Sequence, residues 1–231
     1  MKDHAEGQVV FLCGKYFYSM HTKTKIHLSA LEMELIENKE WILTKASVIN
    51  KVFQLFGEMH EVFRGIVEEE SYSLVAEIFK KNTAKISKGE NYQGLPYVIM
   101  DYPAFFSKEN IVAIRTFFWW GNFFSISLHL SGRSFQIKDN FSKCYHYLKE
   151  NSFFICINDK EWQHNFDPAN YMEASKVNEK KLDQIIKRGF LKISKKADLN
   201  QWENVPEFFE RNFIEILEFL KISFPGDGKV P

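Results

Sequence analysis

The sequence predicts an α+β domain, a mostly antiparallel sheet of hairpins packed against N-terminal and C-terminal helices. Three observations carry that expectation. Apolar residues recur at three- and four-residue steps from Trp41 to about Glu69 and again from Pro206 to about Ile222, the stripes of amphipathic helices. From Leu95 the period drops to two, and β-branched and aromatic residues take over. Helices, hairpins and helices then follow one another without the regular βαβ alternation of a doubly wound nucleotide-binding sheet.

Taken in order, residues 1–28 lack clean periodicity and are left as a possible arm or edge strand. Ser29-Ala-Leu-Glu32 has the spacing of a capping box and starts a short helix to about Glu37. The long helix to Glu69 follows, and a third is expected over Tyr72–Lys81 before the polar stretch NTAKISKGEN. Pro96–Tyr102 reads as a strand stopped by Pro103. Val112–Trp120 and Phe123–Ser131 flank Gly121-Asn122, a pair suited to a two-residue type II′ turn because glycine accepts positive φ. A helix over Asp139–Lys149 places Phe141, Cys144, Tyr145 and Leu148 on one face. Ser152–Asn158 and Glu161–Phe166 look like a second hairpin turning at Asp159-Lys160. A helix over Asn178–Arg188 is closed by Gly189, and the last begins at Pro206, where a missing N–H costs nothing. Residues 224–231 read as a frayed tail. With no repeat or linker, 1–231 is taken as a single domain.

Composition narrows the function. Thirty basic residues balance thirty acidic ones, so binding to nucleic acid through the global field is disfavoured. Nothing resembles a membrane span or a secretory signal, and the chain is expected in the cytoplasm with no membrane partner. Cys13, Cys144 and Cys156 are too few and too scattered for a disulfide scaffold and read as reduced thiols. The seven histidines form no HxxxH pair, and GDGK near the end lacks the spacing of a phosphate loop, so no metal and no cofactor is expected. Between Lys176 and Lys196, eight basic residues face only Glu179 and Asp183, enough to attract phosphate or an acidic partner locally. The 23 phenylalanines among the aromatics must fill a core or line a surface.

A two-residue turn at 121 and 122 fixes a register. It pairs Trp120 with Phe123, Phe118 with Ser125, Thr116 with Ser127 and Ile114 with His129 on one face. Thr116, Ser125, Ser127 and His129 would then lie between Phe118, Trp120 and Phe123, as the floor of a ligand cleft or as an ordinary solvent-facing surface. The opposite face, with Arg115 beside Leu128, is expected to meet the helices. A guanidinium there cannot shed its charge and needs a carboxylate, carbonyls or a ligand anion. Asp101 is the first candidate partner, and a structural ion pair is the plainer outcome.

The segments Trp41-Ile-Leu-Thr-Lys45, Leu95–Gly132 with YVIMDYPAFFS and RTFFWWGNFFSISLHLSG, and FLKISKKADLNQW over Phe190–Trp202 resemble a family of uncharacterised bacterial proteins across most of the chain. The resemblance implies a bacterial cytoplasmic origin and a shared fold. It carries over no functional residue. Three functions follow as expectations. The first is a non-catalytic binding or interaction protein using its aromatic sheet surface, for a small-molecule ligand or by self-association. The second is an enzyme holding a small anionic substrate on Arg115, with Asp101 and His129. The third, less favoured, is a single-stranded nucleic-acid binder.

Overall fold

In a computed structural model of the chain, residues 26–69, 79, 83–132 and 141–224 are described, without the side chains of residues 141, 142, 179 and 186. The chain divides into two compact units, Met1–Val48 and Ile49–Pro231. In the first, the capping box forms as the sequence predicts. Ser29 Oγ accepts the Glu32 N–H at 3.2 Å, and Glu32 Oε2 accepts the Ser29 N–H at 2.7 Å, starting α1 (Ala30–Glu37). Asn38 closes α1 and accepts the Trp41 N–H through Oδ1, opening α2 (Lys39–Glu69).

The second unit holds a seven-stranded sheet. Its strands in chain order are β1 (Lys85–Tyr92), β2 (Leu95–Phe106), β3 (Asn110–Trp119), β4 (Phe123–Gly132), β5 (Phe154–Cys156), β6 (Tyr171–Glu173) and β7 (Phe190–Asp198). Their spatial order is β1-β2-β3-β4-β7-β5-β6, every neighbour antiparallel. It also holds α2 from Ile49 onward and, among the described residues, α3 (Phe141–Glu150), α4 (Glu179–Lys187) and α5 (Val205–Ser223). This is the α+β class read from the sequence.

One face of the sheet carries Val98, Met100, Ile114, Phe118, Phe124, Ile126, Leu128 and Ile193, all buried. It meets α5, where Phe209 lies edge-on to Phe124 with centroids 5.9 Å apart. The buried stripe of α2, which includes Ile49, Val52, Phe56, Met59 and Phe63, runs against α5. Phe63 stacks on Phe213 at 3.9 Å and Phe56 meets Phe209 edge-on. Each such side chain contributes about 1.5–3 kcal/mol on burial.

The structure departs from the sequence reading at five places. β1 lies in the segment expected as a polar loop. As an edge strand it alternates lysine and glutamate with half-buried residues, which blunts the free edge and hides the period of two. β2 continues through Pro103 to Phe106, because the ladder is irregular between Asp101 and Ala104, where a residue without an N–H is tolerated. The β3–β4 turn has three residues, pairing Trp119 with Phe123. The second hairpin does not form as expected, since β5 pairs with β6 and β7 while 157–170 is an irregular loop. Side-chain caps hold that loop: Asn158 Oδ1 accepts the Lys160 N–H at 2.8 Å, and Asn158 Nδ2 donates to Asn170 Oδ1 at 2.7 Å. Finally, β7 is an interior strand between β4 and β5, within the basic stretch that reads as the solvated face of a helix. The helix expected over Tyr72–Lys81 falls outside the described residues apart from helical Phe79, as do residues 1–25 and 225–231.

Candidate functional site

The second face of the sheet is polar at its centre and aromatic at the hairpin end. The turn decides which residues lie there. Asn122 N–H donates to Trp119 O at 3.0 Å, and Gly121 takes φ +71° at the third position of that turn, where a type II turn requires positive φ. The extra loop residue shifts the β3–β4 register by one relative to expectation, which exchanges the faces of β3. Arg115 pairs with Ser127 and Phe117 with Ser125, so Arg115 shares its face with Ser125, Ser127 and His129. Thr116 and Phe118 belong to the helix side, with Phe118 5.1 Å from Phe124. Thr116 Oγ1 is buried there without a hydrogen-bond partner. Trp120 is a turn residue edge-on to Phe118. Of the eight candidates, Asp101, Arg115, Ser125, Ser127 and His129 come together, and the aromatic residues beside them are Phe117, Trp119 and Phe123.

The Arg115–Asp101 pairing read from the sequence is present. Arg115 Nε donates to Asp101 Oδ1 and Nη2 to Oδ2, both at 2.8 Å, a bidentate pair little exposed to solvent. The apolar neighbours expected for Arg115 are replaced by polar ones. β7 brings Lys192 opposite His129 and Ser194 opposite Ser127. Ser194 Oγ donates to Ile126 O at 3.0 Å, so the 2.7 Å contact with Ser127 is one in which Ser127 donates.

Loop 157–170 roofs this face. Tyr92 from β1 anchors it, its hydroxyl accepting the N–H groups of His164 (2.7 Å) and Asn165 (3.0 Å). His129 Nε2 meets Glu161 Oε2 at 3.1 Å. Burial, helped by the fields of Lys192 and Arg115, pushes the His129 imidazole down to about 3, outweighing the attraction of Glu161. His129 is therefore a neutral donor to that carboxylate. Trp162, about half exposed, lies over the Arg115 guanidinium at 5.9 Å and against His129 at 5.3 Å.

Lys192 is the most unusual group, 1% exposed in the middle of the face. Among the described residues no carboxylate oxygen lies within 4.0 Å of its Nζ. Its partners are Glu161 O (3.1 Å), Gln163 O (2.7 Å) and His164 Nδ1 (3.1 Å). The other ring nitrogen of His164, Nε2, faces Arg115 Nη1 at 3.0 Å. Burial holds His164 well below its ordinary value, so the ring has one N–H and one lone pair. Arg115 can only donate, which makes Nε2 the acceptor and puts the proton on Nδ1. Lys192 must then accept from Nδ1–H, as only a neutral amine can. Its two remaining hydrogens match the two carbonyls. Burial independently lowers Lys192 to about 7.

No family model, curated protein or solved structure matches this chain. The site stands on its geometry.

Sequence reading missed Lys192, His164, Glu161 and Trp162. A lysine between Leu191 and Ile193 in an alternating LKIS segment was the available signal for Lys192. Of the loop residues only Trp162, a tryptophan beside charged residues, hinted at partner contact, against a default of buried-edge packing; Glu161 and His164 carry no signal, because their placement depends on contacts far along the chain. Among the described residues no group of three or more histidine, cysteine or acidic side chains could hold a metal.

Proposed function

We propose that the protein is a non-catalytic binding protein whose ligand face is the polar, aromatic-edged side of the sheet, with loop 157–170 as its cover. The observation that carries this reading is the burial of Arg115, Lys192 and His164 in one hydrogen-bonded circuit beneath a segment without regular structure. A core needs no such groups, and long irregular loops over polar sites are where binding concentrates.

Lifting the loop removes Glu161, the Glu161 and Gln163 carbonyls and the His164 ring together. Arg115 and Lys192 are left as donors in need of acceptors. Lys192, rehydrated, regains its proton, so the opened face favours a small carboxylate whose body rests against the aromatic end. Binding near neutral pH therefore takes up a proton. The same reading keeps the protein in the cytoplasm, supported by Cys144 and Cys156, which are free and buried; among the described residues no helix is long and apolar enough to cross a membrane.

Calorimetry with benzoate and other small carboxylates, repeated in buffers of different ionisation enthalpy, tests it, with Trp162 emission as the reporter. Saturable binding with proton uptake, absent in Lys192→Met, is expected. Hydrogen exchange in which amides of 157–170 are as protected as those of β4, with no carboxylate changing the emission, refutes it.

A further inference from the structure

We propose that the cavity between the foot of loop 157–170 and α4 is a second binding site, for a small phosphate monoester held by Arg188 and Lys181. The cavity measures about 510 Å³, within the size range of small-molecule sites. It lies apart from the circuit around Lys192 and does not depend on that face being a ligand site.

Arg188 is the reason to read this cavity as an anion site. Its guanidinium is pinned by three backbone carbonyls: Nη1 donates to Asn158 O at 2.8 Å, Nη2 to Cys156 O at 2.5 Å and Nε to Phe190 O at 3.3 Å. Its plane sits over the Phe190 ring, 3.9 Å from the centroid. These contacts fix the fork and still leave one hydrogen on each terminal nitrogen. Among the described residues no carboxylate oxygen comes within 4.0 Å of it, so its direct partners are carbonyl dipoles, and the Asp159 carboxylate acts on its charge only from farther off. Burial disfavours that charge, and a bound anion would offset the cost.

Lys181 lines the same cavity from α4, likewise without a carboxylate within 4.0 Å among the described residues, and Gln184 adds an amide donor. Asp159 also lines it. Two cations against one carboxylate leave a single positive charge, which suits one phosphoryl group better than a polyphosphate. Asp159 supplies an acceptor for a hydroxyl on the same ligand.

The test is calorimetry on the full chain at low ionic strength with inorganic phosphate and glycerol 3-phosphate, against chloride at matched ionic strength. One site per chain is expected, with glycerol 3-phosphate the tighter ligand. Losing one charge-assisted contact weakens binding about tenfold or more in Lys181→Ala and in Arg188→Lys. Arg188→Lys also loosens three carbonyl contacts. Lys181→Ala keeps its backbone cap to Asn178 and decides the matter, provided its near-UV circular dichroism matches the wild type. Absence of binding by both probes, or affinity unchanged in a folded Lys181→Ala, overturns the proposal. So does binding of a single-stranded oligonucleotide without either phosphate probe.

Discussion

On the helix side of the sheet, Phe124, Ile126 and Leu128 of β4 meet α5 and its neighbours through apolar contact. On the loop side, Ser127 and His129 of the same strand meet hydrogen-bonding partners one at a time, Ser194 and Glu161. The first surface tolerates rearrangement because dispersion and area burial are not directional. The second depends on each donor finding its acceptor, so the cost of a change there depends on which partners it leaves unpaired. One strand thus serves two kinds of interior, and the polar one carries the larger desolvation cost.

The largest effects should separate the two sides by additivity. Phe63→Ala or Phe213→Ala should each cost about 3–5 kcal/mol in urea unfolding, and the double variant should regain nothing. Asp101→Ala should cost a similar amount, about 3–5 kcal/mol, by leaving Arg115 buried and unpaired, yet Asp101→Leu with Arg115→Met should recover most of it. If the polar double variant is as damaged as the sum of its singles, the distinction between the faces is wrong.

Next in size is pH. Lys192 sits at about 7 in the folded chain and near 10.4 unfolded. The unfolded chain binds the extra proton between those values, so stability rises as pH increases through that window, by up to about 1.4 kcal/mol per unit. Burial of the Cys144 thiol raises its value and works in the opposite direction above about pH 8.5, so the gain is cleanest between about 7 and 8.5. Wild-type stability should climb over that interval while Lys192→Met stays flat and is the more stable at pH 6. At lower pH, His129 at about 3 folded against about 6.5 unfolded should add to a second rise in stability below about 6.5, shared with His164, which is also held well below its ordinary value, so the rise should shrink in His129→Gln and shrink further when His164→Gln is added.

The smallest effect concerns the serines. Ser194→Ala removes a donor to Ile126 O and an acceptor for Ser127 and should cost about 1 kcal/mol. Adding Ser127→Ala should cost little more, because the orphaned hydroxyl goes with it. Thermal unfolding of the two variants checks this.

Much of the scaffold was legible locally. The α1 capping box, the stripe of α2, both strands of the central hairpin, the Asn178–Gly189 helix and the Pro206 helix start follow from spacing and cap chemistry. The register was not, since Gly121-Asn122 fits a two-residue and a three-residue loop alike, and the difference of one residue carried Thr116 and Phe118 to the helices and Phe117 and Trp119 to the site. β7 was hidden because its buried Lys192 and half-buried Lys195 read as solvated charge; in the fold Lys195 instead pairs with Glu215 of α5. Asp101 as the partner of Arg115 was legible from charge logic alone. The roof was not, because Glu161, Trp162 and His164 reach the sheet through pairings of β5 with β6 and β7 that no local pattern encodes.

The charge state of Lys192 is the sharpest test of the polar face. Nitrogen-15 NMR of the lysine ζ amines and histidine rings, assigned with Lys192→Met and His164→Gln, reads it directly. At pH 8 the Lys192 nitrogen should show a neutral amine that titrates at about 7, with His164 protonated at Nδ1. A Lys192 that stays an ammonium up to about pH 10, or a His164 protonated at Nε2, would contradict the circuit and with it the proposed ligand face.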